Sequence, residues 1–383
     1  MKKLVLYFPI LWNVHLKKDV GLFPIYLKRY FHEVEIIYFQ EEGYDSLPTK
    51  YRDIKLIKLG SVKRYNKEKV SQIMRLKLNK IVYQYITDNK DITHFMSFHF
   101  SFLQMYLINK IKKELPNIKI YLKSDCSIIG ANNLVRKYTG FWFRKYLKNI
   151  DLITVETEDT FNILNQNEKF KGKVHCAYNG YDDLLYVKPE IAKKEKTIIT
   201  VGRLGTAPKN TELFLKIIKK LNLKDWKIKL IGPIEKCEKD FQKDIDKFYS
   251  ERPDLKDKVI FTGTINDSDK LVEEYHKASA FVLTSRWESS ALVLLEAAIN
   301  GCYVLTTNVG IAKDLRYCYI CPNSLQGQQS EEIIVNNFST ELQKLIDNQE
   351  LCFENFNERN EFCESNFLMS KIIDSEYFKE WCE

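Results

Sequence analysis

The sequence has no short-period repeat and no low-complexity tract, so stacked-repeat architectures and extended disorder are excluded. The apolar run near its start, Leu4 through Trp12, is too short to span a bilayer, and no small-x-small cleavage site follows it. That run is expected to be a first buried strand. Cysteine provides no disulfide framework: nine residues are scattered from Cys126 to Cys382, the pattern of reduced thiols in a cytosolic protein. Cys318 and Cys321 have redox or metal spacing, but no second pair follows at zinc spacing and the context is strand-like, which favours a structural role. Beyond about Ser330 there is little glycine or proline, and this tail is expected to be mostly helical.

What is present fits a soluble α/β protein. With 383 residues, 45% hydrophobic and 29% charged, the chain is long for one core, and two domains are expected. Strand-like and helix-like segments alternate from Leu4 onward, the pattern of parallel sheets with helical crossovers. A turn at Asn179–Asp182 and a charged segment at Lys188–Lys196 interrupt the alternation, which then restarts at Thr197. The expected division is a first doubly wound, Rossmann-like domain over 1–187, a second over 188–366, and a terminal helical segment over 367–383. Two open sheets in tandem would face a cleft, and ligands in such sheets bind beyond the carboxyl ends of the strands.

Charge is divided unevenly. Residues 1–150 carry 28 Lys and Arg against 12 Asp and Glu, while the remainder carries 31 against 39. An excess of 16 positive charges in one half points to an anionic partner. Arg64 precedes, and Lys67, Lys69, Arg75, Lys77 and Lys80 fall in, one predicted helix, about Lys67 to Thr87. In another, Leu134–Lys148, Arg136, Lys137, Arg144, Lys145 and Lys148 are interleaved with Tyr138, Phe141, Trp142, Phe143 and Tyr146. Basic and aromatic residues mixed on a helix suit an anionic membrane surface. No nucleic-acid module is recognisable, so nucleic acid is not an expected partner.

Two stretches carry the chemistry. Ser285 through Gly301 follows the strand-like Ala280–Leu283, passes a polar turn and opens an apolar helix ending at Gly301. Serines at its start could cap it, and its free N–H groups would form an anion site. On a helix, Glu296 would share a face with Ser289, placing a carboxylate behind the mouth. The second stretch, Val201 through Asn210, lies between a strand and a helix. Gly202 and Gly205 allow a sharp turn, and Arg203 and Lys209 set two cations at the strand end.

Taken in order, Gly202-Arg203 with Lys209, Ile231-Gly232-Pro233, Gly263, and Glu288 with Glu296 resemble the retaining glycosyltransferases of family 4, which have the GT-B fold. The resemblance is good over the second domain and thin over the first, where it rests on Asn179–Asp182, Asp125 and the order of elements. It implies that Arg203 and Lys209 hold the donor diphosphate, that Glu296 binds the ribose, and that Glu288 lies near the donor sugar. The backbone of Ser289, Ser290 and Ala291 would contact sugar or phosphate, and Gly263, Thr264 and Ile265 would lie against the base. Gly202 and Gly21 complete the implied donor loops, although the usual first-loop glycine pair is reduced to Gly21. The usual Gly-Phe-Gly-like turn after the first glutamate is Ser289-Ser290-Ala291. Asp125 stands where family members often carry a His or Asp close to the reacting carbon, and His99 competes for that place.

The function implied is transfer of a sugar, with retention, from a nucleotide diphosphate sugar (UDP-sugar favoured) to a glycan or lipid-linked acceptor. No cofactor or metal is expected, since fixed cations and a helix mouth can neutralise the departing diphosphate and no Asp-x-Asp motif adjoins the site. The expected setting is bacterial surface or secreted polysaccharide synthesis, in the cytoplasm at the inner face of the cell membrane. The alternative is an inactive GT-B subunit that steadies a partner transferase. The four charged residues Arg203, Lys209, Glu288 and Glu296 together argue against it.

Overall fold

Runs of buried β-branched and aromatic residues form the strands, and amphipathic segments between them form the crossovers. The structure, a computed structural model, describes residues 1–63, 72–137, 141–234, 240–322 and 330–383. It divides into two compact units, one of Met1–Gly180 with Met369–Glu383 and one of Tyr181–Leu368.

The first unit contains β1 (Lys3–Ile10), β2 (Glu33–Glu41), β3 (Lys50–Tyr51), β4 (Ile54–Val62), β5 (His94–Phe98), β6 (Lys119–Ser124), β7 (Leu152–Val155) and β8 (Val174–Cys176). They form one sheet in the order β3-β4-β2-β1-β5-β6-β7-β8, parallel except for the β3–β4 hairpin. Alternate residues of β1 feed two cores: Val5 and Tyr7 join Ile37, Phe39 and Phe95 on one face, and Leu4 and Leu6 join Ile36, Tyr38 and Met96 on the other. The chain order reverses between β1 and β5, so loops leaving their carboxyl ends diverge there and leave a crevice.

The second core of this unit is completed by the end of the chain. Met369, Ile372, Ile373, Phe378 and Trp381 are buried in it, His94 Nε2 lies 3.0 Å from the Trp381 carbonyl, and the Tyr377 hydroxyl donates to the Cys176 carbonyl at 2.9 Å. The expected return of the terminal helices to the first sheet is therefore present. The apolar stripe read from sequence is split, however. Phe367 and Leu368 stay in the second unit, where the Phe367 carbonyl accepts from Tyr181 N at 2.7 Å.

The second unit contains β9 (Glu195–Val201), β10 (Lys227–Ile231), β11 (Val259–Gly263), β12 (Ala278–Leu283), β13 (Tyr303–Thr306) and β14 (Tyr319–Ile320). All pair in parallel in the order β11-β10-β9-β12-β13-β14. This is the doubly wound order in which a nucleotide sits where the winding reverses, here between β9 and β12. The helix Thr211–Lys219 buries Leu213, Phe214, Ile217 and Ile218 against one face, together with Phe338 and Leu342 of the helix Glu331–Asp347.

Two predicted helices differ from those observed. Over the segment read as the helix Leu134–Lys148, the described residues are helical in Ile128–Lys137, which begins earlier, and in Phe141–Leu147; Tyr138 lies outside the described residues. The basic helix runs Gln72–Asp88; Arg64, Lys67 and Lys69 lie outside the described residues.

Candidate functional site

In the second unit the loops leaving β9, β10 and β11 continue the sheet's hydrogen bonding past the strand ends. Gly202 N donates to the Ile231 carbonyl at 2.9 Å, and Gly232 N donates to the Gly263 carbonyl at 2.9 Å. Gly232 has φ +140°, and a Cβ there would stand 1.8 Å from the Gly202 carbonyl oxygen, so only glycine lets the two loops approach. Gly263 has φ +74° in open space, followed by exposed Thr264 and half-buried Ile265.

The loops after β9 and β12 are stitched together across the winding reversal. Lys209 Nζ pairs with Glu288 Oε1 at 2.6 Å, with both side chains about five-sixths buried. Ser285 Oγ donates to the same carboxylate oxygen at 2.7 Å. Arg286 donates from its backbone to the Pro208 carbonyl at 2.8 Å and from its guanidinium to the Ala207 carbonyl at 3.0 Å, and Thr284 Oγ1 donates to the Asn210 carbonyl at 3.1 Å. Beneath lies a small cavity lined by Thr200, Gly202, Lys209, Thr211, Phe214 and Thr284. The Arg203 side chain is exposed at its rim of the loop.

The helix behind the second loop begins later than its serines suggested. It runs Leu292–Ile299, and its N-terminal flanking residue is Ala291, left-handed at φ 60° with no side-chain cap. Ser289 and Ser290 therefore precede the helix, and the shared face expected for Ser289 and Glu296 does not apply. Ser290 is instead held by its carbonyl, which accepts from Ile311 N at 3.0 Å, close against Gly310, where a Cβ would meet it at 2.4 Å. The helix still opens toward solvent-accessible loop, and its first N–H groups lack intrahelical partners, the usual origin of anion affinity. Glu296 is half-buried and accepts from the Tyr275 hydroxyl at 2.8 Å. Burial, then the adjacent Glu296 charge, hold the Tyr275 phenol well above its ordinary range, so it stays a donor.

The first-unit residues are distributed differently. Gly21 is not in a loop: it is buried within the helix Asp19–Leu27, where a Cβ would stand 2.1 Å from the Leu16 carbonyl oxygen. Its role is close packing. His99 leaves β5 exposed and left-handed at φ 63°, a conformation that costs a non-glycine residue free energy and is concentrated at functional positions. Asp125 follows β6 and pairs with Lys123, whose ammonium is fully buried and also lies 3.2 Å from Asp19 and 3.6 Å from Glu156. One oxygen of each carboxylate lies within 4.8 Å of the others, a grouping that a metal could use, but the Lys123 ammonium already stands among them.

Sequence reading missed Ser285, Tyr275, Lys123 and Glu156. For Lys123 a signal existed: a cation directly after the apolar Ile120-Tyr121-Leu122, in a strand that is buried from Ile120 to Ser124. The Cys318–Cys321 pair flanks β14 as free thiols, and burial raises both to about 11.

Comparison with known proteins adds a family likeness over part of the chain. Residues 184–352 match the family described as glycosyl transferases group 1. The chain is 30% identical over 118 residues to the sulfoquinovosyl transferase SQD2 of Arabidopsis thaliana and 29% identical over 119 residues to the amylovoran biosynthesis glycosyltransferase AmsD of Erwinia amylovora. Each match covers 31% of this chain, and it spans only 20% and 29% of those relatives' lengths. Among solved structures, a glycosyltransferase from Rickettsia africae superposes with a TM-score of 0.71 at 15% identity, covering 100% of this chain and 98% of that one. HepE of Anabaena in complex with UDP superposes with a TM-score of 0.65 at 14% identity, covering 97% of each. Residues 184–352 of the second unit are thus similar to the glycosyl transferases of group 1, and the chain as a whole has the fold of the GT-B glycosyltransferases.

Proposed function

We propose that this chain is a retaining glycosyltransferase that takes a sugar from a nucleoside diphosphate sugar, UDP-sugar favoured, and adds it to a glycan or lipid-linked acceptor. The observation that carries the reading is the coupling of Lys209 to Glu288 across the β9/β12 reversal, beside Arg203 and the open end of the helix Leu292–Ile299. Breaking the anomeric bond puts charge on the departing diphosphate. Two cations and a set of backbone N–H groups, already fixed before the reaction, stabilise that charge without reorganising. With this charge supplied by the chain's own residues, the proposed mechanism is metal-independent and uses no cofactor. Glu296, oriented by Tyr275, would accept from the ribose hydroxyls, and Glu288 would address the donor sugar. Retention would follow from attack on the face the diphosphate leaves, with its oxygen taking the acceptor's proton.

The two relatives, a sulfoquinovosyl transferase and an amylovoran biosynthesis glycosyltransferase, support a glycan or glycolipid product, and the UDP complex of HepE supports a uridine donor. A screen of UDP, GDP, ADP and CMP by thermal shift tests this: a nucleotide at a hundred times its Kd stabilises by about 2.7 kcal/mol. UDP is expected to raise the melting temperature most, and no shift with any of the four would overturn the reading.

A cytoplasmic setting at the inner face of a bacterial membrane, in the synthesis of surface or secreted polysaccharide such as a capsule, is part of the same proposal. No helix among the described residues is long and apolar enough to cross a membrane. Of the aromatic residues proposed for lipid contact, Phe143 and Tyr146 are buried in the first core while Arg144 and Lys145 are exposed, and Tyr138 and the side chains of Phe141 and Trp142 lie outside what is described. The better surface is the helix Gln72–Asp88, which exposes Ile73, Leu76 and Ile81 among Arg75, Lys77 and Lys80. Cations there gain about 1 kcal/mol each beside an anionic leaflet. Sedimentation with anionic but not neutral vesicles is expected, weakening as salt rises; indifference to lipid charge would remove the membrane from the proposal.

A further inference from the structure

The group around Lys123 has one cation for three carboxylates and is closed from solvent on all but one side. Glu156 is 1% exposed, Lys123 0%, Asp19 8% and Asn179 4%, whereas the Asp125 side chain keeps 20% of its surface. Glu156 Oε1 accepts from Asn179 Nδ2 and lies near Lys123, but Glu156 Oε2 has no hydrogen-bond partner, and neither has Asn179 Oδ1. Around the group stand the phenol of Tyr121, the Cys126 thiol, His99 and the rings of Phe23 and Phe98, the last two 5.2 and 5.4 Å from Lys123 Nζ. Of these, His99 faces Asp125, whose carboxyl it helps Lys123 to lower, and Lys123 is the cation buried among all three carboxylates.

Three ionised carboxylates around one ammonium would leave two net negative charges in a site of low dielectric, with acceptor facing acceptor. The neutral way to relieve this is to put a proton on a carboxyl, which makes it a donor. The most buried of the three takes it. We infer that Glu156 is a buried acid that keeps its proton at neutral pH and donates it toward Asp125, so that Asp125 is presented at the end of β6 as an acceptor-only carboxylate for a substrate hydroxyl. The charge balance agrees: burial and the Asp125 charge push the Glu156 carboxyl well up. The Asp125 carboxyl is held down against burial, chiefly by Lys123. Asp19, less buried than Glu156 and 3.2 Å from Lys123, is also pushed up, by burial. Lys123 and Glu156 are positioning residues: they fix the charge and orientation of Asp125. The ligand class is a sugar or polyol hydroxyl, which rests on the transferase reading; the state of the cluster does not.

The test has two arms. In the full-length protein at pH 7, a wild-type minus Glu156→Gln infrared difference spectrum should contain the C=O stretch of a protonated carboxyl. A difference holding only carboxylate bands overturns the inference, whether or not the protein transfers sugar. If transfer is observed, wild-type kcat/KM should fall on the alkaline side as Glu156 loses its proton. Glu156→Gln, whose amide still donates but does not titrate, should lose that limb, and Glu156→Leu should cost tenfold or more in kcat/KM. Superimposable pH profiles of wild type and Glu156→Gln would equally overturn it. Absence of transfer and of nucleotide binding in the wild type would instead tell against the transferase reading and leave the infrared result to decide this one.

Discussion

Replacing Lys209 with alanine is expected to lower kcat for sugar transfer by about 100- to 1000-fold, or about 2.7 to 4 kcal/mol of transition-state stabilisation. Two effects combine. The first is removal of a cation that faces charge growing on the departing diphosphate. The second is release of Glu288 from its 2.6 Å partner, which leaves the Ser285 hydrogen bond without the ion pair beside it. The ammonium is therefore both a diphosphate partner and a device for placing a carboxylate, and Lys209→Arg should rescue little, because the planar guanidinium cannot occupy the ammonium's place beside Ser285. Arg203→Ala should fall short of the Lys209→Ala loss, since the exposed Arg203 side chain is the more screened by solvent. Steady-state kinetics with a UDP-sugar gives the answer, with circular dichroism to establish that the variant is folded. A folded Lys209→Ala enzyme with wild-type kcat would remove Lys209 from the mechanism.

The alternation of strands and helices was legible in the sequence because parallel strands covered on both faces are continuous apolar runs. Ala280–Leu283 is such a run, and the structure places it within the fully buried β12. The second-unit site was legible for a related reason: its residues leave strand ends in chain order, so their spacing survives in one dimension. What was not legible depends on contacts distant in sequence or on backbone conformation. Ala291 enters the left-handed region because Ser290 is held by Gly310 and Ile311, which no local signal announces. Gly21 looked like a loop glycine because the approach of Leu16 that requires it is a packing fact. Glu156 reaches Lys123 from the next strand end, and a carboxylate's protonation follows from its neighbours in space, not from its neighbours in the chain.

Gly232→Ala is expected to give the largest loss of stability in the second unit, about 3 to 5 kcal/mol. Two costs fall on one atom. At φ +140° the backbone lies where a side chain is strained by about 1 to 3 kcal/mol. The new methyl would also stand 1.8 Å from the Gly202 carbonyl oxygen and 2.9 Å from its carbon, so it presses on backbone that no rotamer change can relieve. Overpacking of that kind adds about 1 to 3 kcal/mol. The loop that must yield is the one carrying Arg203 and Lys209, held here by Gly202 N on the Ile231 carbonyl and Leu204 N on the Pro233 carbonyl. Stability and nucleotide affinity should therefore fall together. Gly263→Ala is the control: it too has positive φ, +74°, but its methyl would meet nothing within 4 Å, so strain alone applies. For a unit of this size each kcal/mol moves Tm by roughly 2 to 4 °C, which puts Gly232→Ala roughly 10 °C below wild type and Gly263→Ala only a few degrees below. Scanning calorimetry of both variants, with UDP titrated into each, separates the two costs. Equal melting temperatures for the pair would mean that the approach of residue 232 to the Gly202 carbonyl does not constrain the site loop.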